Sequence, residues 1–155
     1  YTDECGRRQI LIKAQPVEFK QFTFDRFLPQ EDFVIGVNAM FSQTDDKDYV
    51  LKIASAMTTE ATNLSEDDGL SQKVTIKAGL ANKVIETVKP QVNLAPFRTF
   101  PECQQPVSPF VFRARGGEAP SLMLTEADGG LWKIHAISEI ARYLSVLDMG
   151  LPIVS

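Results

Sequence analysis

Aromatic and arginine residues interleave in one stretch of this chain: Leu94-Ala-Pro-Phe97-Arg98-Thr-Phe100, then Pro109-Phe110-Val-Phe112-Arg113-Ala-Arg115. Rings that stack on bases, beside guanidinium groups that pair with phosphates, are a common way of holding single-stranded nucleic acid. Phe97, Arg98, Phe100, Arg113 and Arg115 are therefore candidate binding residues for a single strand or a nucleotide. Strand geometry weighs against one continuous groove. If residues 110–115 are extended, Phe110 and Phe112 share one face while Val111, Arg113 and Arg115 share the other. The plainer expectation is a sheet with phenylalanine inward and arginine outward, its arginines pairing with Glu126 or with a partner chain.

A second candidate lies at Asp128-Gly129-Gly130, which opens a helix. Free N–H groups at a helix start can hold a phosphate, and Lys133 sits in the first turn to assist. Asp128 is itself a good helix cap and repels an anion, so capping is the expected role. Nucleophilic catalysis requires a nucleophile beside a base. The single histidine, His135, falls inside the same helix beside Ile134, and no GxSxG turn occurs. Neither GxxxxGK[ST] nor GxGxxG is present. One histidine and two remote cysteines, Cys5 and Cys103, do not make a zinc set. The acidic run Glu66-Asp67-Asp68 lacks the alternating ligands of a calcium loop and reads as a solvated turn. Glu102, Glu118 and Glu126 offer carboxylates for acid–base work, with no spacing that selects it. No cofactor is expected.

These residues must be positioned by a fold, and 155 residues suffice for one domain with one core. The composition, 44% hydrophobic and 23% charged, is that of a globular chain. A net charge of −4 argues against a dedicated duplex-binding role and against an anionic membrane surface. No apolar run reaches the ~20 residues of a membrane span, and no secretory signal is visible, so a cytoplasmic location with two free thiols is expected. The first residue is Tyr1, which suggests that the natural protein extends further toward its N-terminus.

Periodicity predicts strands over 8–14 and 33–41, the latter with Phe33, Ile35, Val37, Ala39 and Phe41 on one face. A helix is predicted over 45–57, capped by Thr44 or Asp45, with Asp45, Asp46 and Asp48 in its first turn. Asp68-Gly69 marks a hairpin turn between segments 58–65 and 70–78. Further strands are predicted over 82–88, 110–115 and 121–126, with a short extended piece over 92–94 and an irregular segment over 95–109. The C-terminal helix, near 130–147, carries Leu131, Ile134, Ile137, Ala141, Leu144 and Leu147, a stripe expected to pack on the sheet with Trp132 at its margin. Residues 151–154 are a candidate terminal strand. The resulting class is α+β, mainly antiparallel, as a single domain over 1–155.

Four motifs carry a family likeness: Asp67-Asp-Gly69 followed by Gln72-Lys-Val-Thr75; Leu94-Ala-Pro-Phe-Arg-Thr-Phe100; Gln105-Pro106-Val-Ser-Pro-Phe-Val-Phe-Arg113; and Glu126-Ala-Asp-Gly-Gly-Leu-Trp-Lys133. In these the chain, over residues 30–155, resembles uncharacterised phage and prophage proteins of Gram-positive bacteria, distantly similar to the YfdQ-like prophage proteins. Members of that family usually carry an additional N-terminal segment. The resemblance implies a phage-encoded protein in the host cytoplasm and carries no catalytic residue with it. The expected function is that of a non-enzymatic accessory protein that binds another protein and self-associates, since many short strands expose edges. The alternatives are a single-stranded nucleic-acid or nucleotide-signal binder, and a hydrolase or nuclease with a split site.

Overall fold

The structure is a computed structural model that describes residues 20–58, 64–65, 72–78, 82–147 and 150, with residues 6, 13, 15 and 18. Its elements, in order, are β1 (Leu28–Pro29), α1 (Gln30–Met40), β2 (Phe41–Ser42), α2 (Asp45–Ala56), β3 (Leu64–Ser65), β4 (Gln72–Ala78), β5 (Asn82–Val88), β6 (Gln91–Pro96), β7 (Ser108–Arg115), β8 (Ser121–Glu126) and α3 (Trp132–Val146). A five-stranded sheet runs in the order β1-β8-β7-β6-β2, and a three-stranded sheet in the order β3-β4-β5. All pairings are antiparallel. The class is α+β, as the sequence predicts. The expected strand over 8–14 (Lys13 apart), the turn over 66–69 and the terminal strand over 151–154 lie outside the described residues.

Strand β7 alternates as its sequence demands. Ser108, Phe110, Phe112 and Ala114 are buried, while Val111 and Arg113 are half-buried on the opposite face. Helices α1 and α2 cover the Phe110/Phe112 face. Phe33 of α1 stacks on Phe112 at 6.0 Å between ring centroids, and Val50, Ile53 and Ala54 of α2 are fully buried. The small sheet closes the same core through Val74, Ile76 and Val88, with Met57 bridged to Ile76. Fully burying each of these large side chains stabilises the fold by roughly 1.5–3 kcal/mol.

The two helices cap each other. Thr44 Oγ1 accepts from Lys47 N at 3.1 Å and starts α2 as expected. Lys47 is 7% exposed, and its Nζ donates to Phe41 O at 2.6 Å and Asn38 O at 3.2 Å, where α1 ends. Gln30, the first residue of α1, donates to Ala54 O at 2.6 Å at the end of α2. The carbonyls that a helix end leaves without partners are thus satisfied from the neighbouring helix. Asp46 accepts from Lys89 Nζ at 3.0 Å and Asn93 N at 2.7 Å, tying α2 to β6 and to the turn before it.

Two expectations are corrected. Residues 33–41 do not form a strand: they lie mostly in α1. The buried positions are Phe33, Gly36 and Val37, at helical spacing, and Ile35 is 57% exposed where period two placed it inward. The start signals are Pro29 and the acidic pair Glu31 and Asp32, which favour the positive end of the helix dipole. Gly36 has a packing role, because a Cβ there would lie 2.8 Å from the Phe22 ring. The second correction concerns α3, which is joined to the rest of the fold by the other side from the one expected. Ala136 is its buried residue and Trp132 is half-buried, whereas Leu131, Ile134 and Ile137 are 57%, 65% and 54% exposed. The stripe Leu131/Ile134/Ile137 therefore faces outward.

Candidate functional site

The arginine–aromatic stretch is built from the loop 97–105 upward. Gln105 is its organiser: Oε1 accepts from Arg98 N at 2.9 Å and Thr99 N at 3.2 Å, and Nε2 donates to Phe100 O at 3.0 Å and Cys103 O at 3.2 Å. This folded loop turns the Arg98 side chain inward, where it is only 10% exposed. Its Nη1 donates to Glu126 Oε1 at the end of β8. The guanidinium carbon lies 4.6 Å from the Trp132 ring centroid, 5.3 Å from Phe110 and 5.8 Å from Phe24. Nη2 is buried without a hydrogen-bond partner. The ring faces around it supply cation–π attraction in place of one. Burial pulls the Arg98 pKa down, while Glu126 and Asp128 push it back up; an arginine remains charged through such a shift.

Asp128 works beside it. Oδ1 accepts from Gly130 N at 2.8 Å, and Oδ2 from Trp132 N at 3.1 Å and Ser108 Oγ at 2.8 Å. Burial raises the Asp128 pKa, but these three bonds and the nearby Arg98 outweigh it and hold the carboxyl below its usual value. Gly129 and Gly130, with φ of 62° and 86°, supply the left-handed turn that lets Asp128 reach back to its own helix. The N–H groups open to a phosphate are occupied by this carboxylate. Arg98, Glu126, Asp128 and Trp132 thus form a clamp that joins the 97–105 loop, the end of the sheet and the first turn of α3.

The other candidate residues are dispersed. Arg115, at the far end of β7, lies over the Phe27 ring at 3.7 Å. Arg113 is half-buried and engaged. Both project from the face of β7 opposite Phe110, so they do not converge with Arg98. Phe97 is 36% exposed and lines a groove of about 220 Å³ with Thr44, Gln104 and Val107; Phe100 is half-buried. Lys133 is exposed on α3, its Nζ 5.8 Å from the Trp132 centroid. Cys103 borders the same groove as a buried free thiol. Burial, Glu102 and Glu139 raise its pKa against the opposing pull of Arg142, which keeps it a thiol and not a nucleophilic thiolate. Among the described residues, no group of three His, Cys, Asp or Glu side chains is placed to hold a metal ion.

Among the described residues, two exposed apolar surfaces remain. One is β5, the edge of the small sheet, with Val84 46% and Ile85 56% exposed. Lys83 and Glu86 lie on the same strand, and such charges discourage edge pairing. The other is the outer side of α3: Leu131, Ile134 and Ile137 exposed, with Ala141 and Leu144 half-buried beside them. The sequence held a signal for this surface. Trp132, Ala136 and Ile140 make a second apolar line at four-residue spacing, and a helix that is apolar on two sides needs two partners. The clamp was less legible, because it requires Arg98, Glu126 and Trp132 to meet from three separate segments.

Comparison of the sequence with family models and curated proteins, and of the fold with solved structures, finds no match, so function is argued from this chain's own residues.

Proposed function

We propose that this chain is a non-enzymatic binding protein that works through protein–protein association on the outer face of α3, in the phage or prophage setting that its motifs resemble. The observation that carries this reading is the exposed strip of Leu131, Ile134 and Ile137 on a helix held at its first turn by Arg98 and Asp128, with Ala136 buried on its other side. A contiguous apolar patch framed by polar residues is the usual mark of an interaction site. Here it is presented on an already formed helix, which limits the ordering cost of binding. No helix of the described residues is long and apolar enough to cross a membrane.

The nucleic-acid alternative draws little support from the geometry. Arg98 is committed to Glu126 and three rings, and Arg113 and Arg115 lie on the opposite face of β7. The test uses lysate of host cells that express the untagged chain, and compares the proteins, that chain included, retained by the tagged wild type and by the tagged Ile134→Asp/Ile137→Asp double variant. A protein held by the first and lost from the second supports the proposal. Identical retention by both contradicts it.

A further inference from the structure

The outer strip of α3 has a self-complementary order. Ile134, Ile137, Ala141 and Leu144 follow at intervals of three, four and three residues. Such intervals are those of the seam between two packed helices, and their order reads the same from either end. A second α3 laid antiparallel across a twofold axis therefore brings Ile134 opposite Leu144, and Ile137 opposite Ala141. The large side chain meets the small one, which lets the helix axes approach, and the axis repeats each pairing as an isologous contact requires.

Charge favours the same arrangement. On one side the strip is bordered by Ser138 and Ser145, and on the other by Ile140 and the single charge of Lys133. Glu139 and Arg142 point away from the strip and pair with each other. The net charge of −4 is thus not concentrated where two copies would meet. The area sets the strength. With Ile134 65% and Ile137 54% exposed and Ala141 and Leu144 half-buried, pairing the strip buries roughly 600 Å² in total, below the ~1,000 Å² of a stable interface, so the dimer is a weak, reversible one.

We infer that the partner of the α3 face is a second copy of this chain, docked antiparallel, α3 on α3, across a twofold axis near residue 139. This rests on the reading of α3 as an association surface and names its partner.

Sedimentation equilibrium from low to high micromolar concentration tests it, with thermal melting of each variant alongside. The wild type is expected to show a reversible monomer–dimer equilibrium. Ile137→Asp is expected to weaken it at least about a hundredfold, because an unpaired carboxylate enters the seam twice. In a Cys5→Ser background, a short bismaleimide is expected to link Ser138→Cys copies, which lie beside the axis. It should not link Ser145→Cys copies, separated by about 18 Å along the helices at 1.5 Å per residue. A monomer at every concentration overturns the inference. If Ile137→Asp then melts like the wild type, α3 remains available to a different protein; if its melting temperature falls, the strip lies inside the molecule and the association reading fails as well. A dimer that survives Ile137→Asp, or that cross-links equally at 145, overturns the α3 seam.

Discussion

The Arg98 guanidinium lies 4.6 Å from the ring centroid of Trp132 while its Nη1 donates to Glu126, so one side chain ties the first turn of α3 to the end of β8. This contact fixes which side of α3 faces in. The chain has a single tryptophan, so its fluorescence reports directly on the clamp.

Removing Glu126 leaves a guanidinium that is 10% exposed without its carboxylate. Glu126→Ala is expected to destabilise by about 1–3 kcal/mol, below the range for a fully buried pair because Glu126 itself is 34% exposed. Urea unfolding followed by Trp132 emission measures it, with a red shift of the native signal as the ring is wetted. Glu139→Ala, which breaks the exposed pair with Arg142, is expected to leave the midpoint unchanged.

Acid should release α3. The folded-state pKa of Asp128 is depressed, so its contribution is fully present above the ordinary carboxylate value of about 4 and is lost as pH falls through the folded value. Trp132 emission titrated downward in pH is expected to show this step. Asp128→Asn is expected to remove it, having already lost the stability at neutral pH.

Two buried contacts around α1 give opposite chemical tests of the same packing. Lys47→Met leaves Phe41 O and Asn38 O without their donor and is expected to cost about 1–3 kcal/mol. Gly36→Ala adds a Cβ 2.8 Å from the Phe22 ring. Overpacking of that kind costs about 1–3 kcal/mol and outweighs the ~1 kcal/mol of helix propensity gained. Denaturation midpoints check both, and a stabilised Gly36→Ala would mean that Phe22 does not rest on α1.

The strands were legible in the sequence where burial is one-sided. In β7, alternate phenylalanines face the core and arginines the other side, and period two is the physical consequence. Helix α2 was legible because Thr44 caps it and three aspartates fill its first turn. Residues 33–41 misled because an apolar run with Val and Ile satisfies both periods, and the helix is marked instead by Pro29, Glu31 and Asp32 at its start and by Gly36 under Phe22. The outward strip on α3 misled for a related reason. Hydrophobic spacing shows that a face needs a partner, and it does not say whether that partner is the chain's own sheet. Arg98 and Arg115 belong to one arginine–aromatic stretch of sequence and lie apart in space, because Arg98 packs on Phe110 while Arg115 projects from the opposite face of β7.

The most direct test of the account places a photo-reactive benzoylphenylalanine at Ile137, on the outer strip, and in a separate protein at Glu118, exposed in the turn between β7 and β8. Irradiation in cells expressing the full protein is expected to trap an adduct with another chain from position 137 and none from position 118. Absence of an adduct at 137, or equal yields at both positions, would contradict association through the outer face of α3.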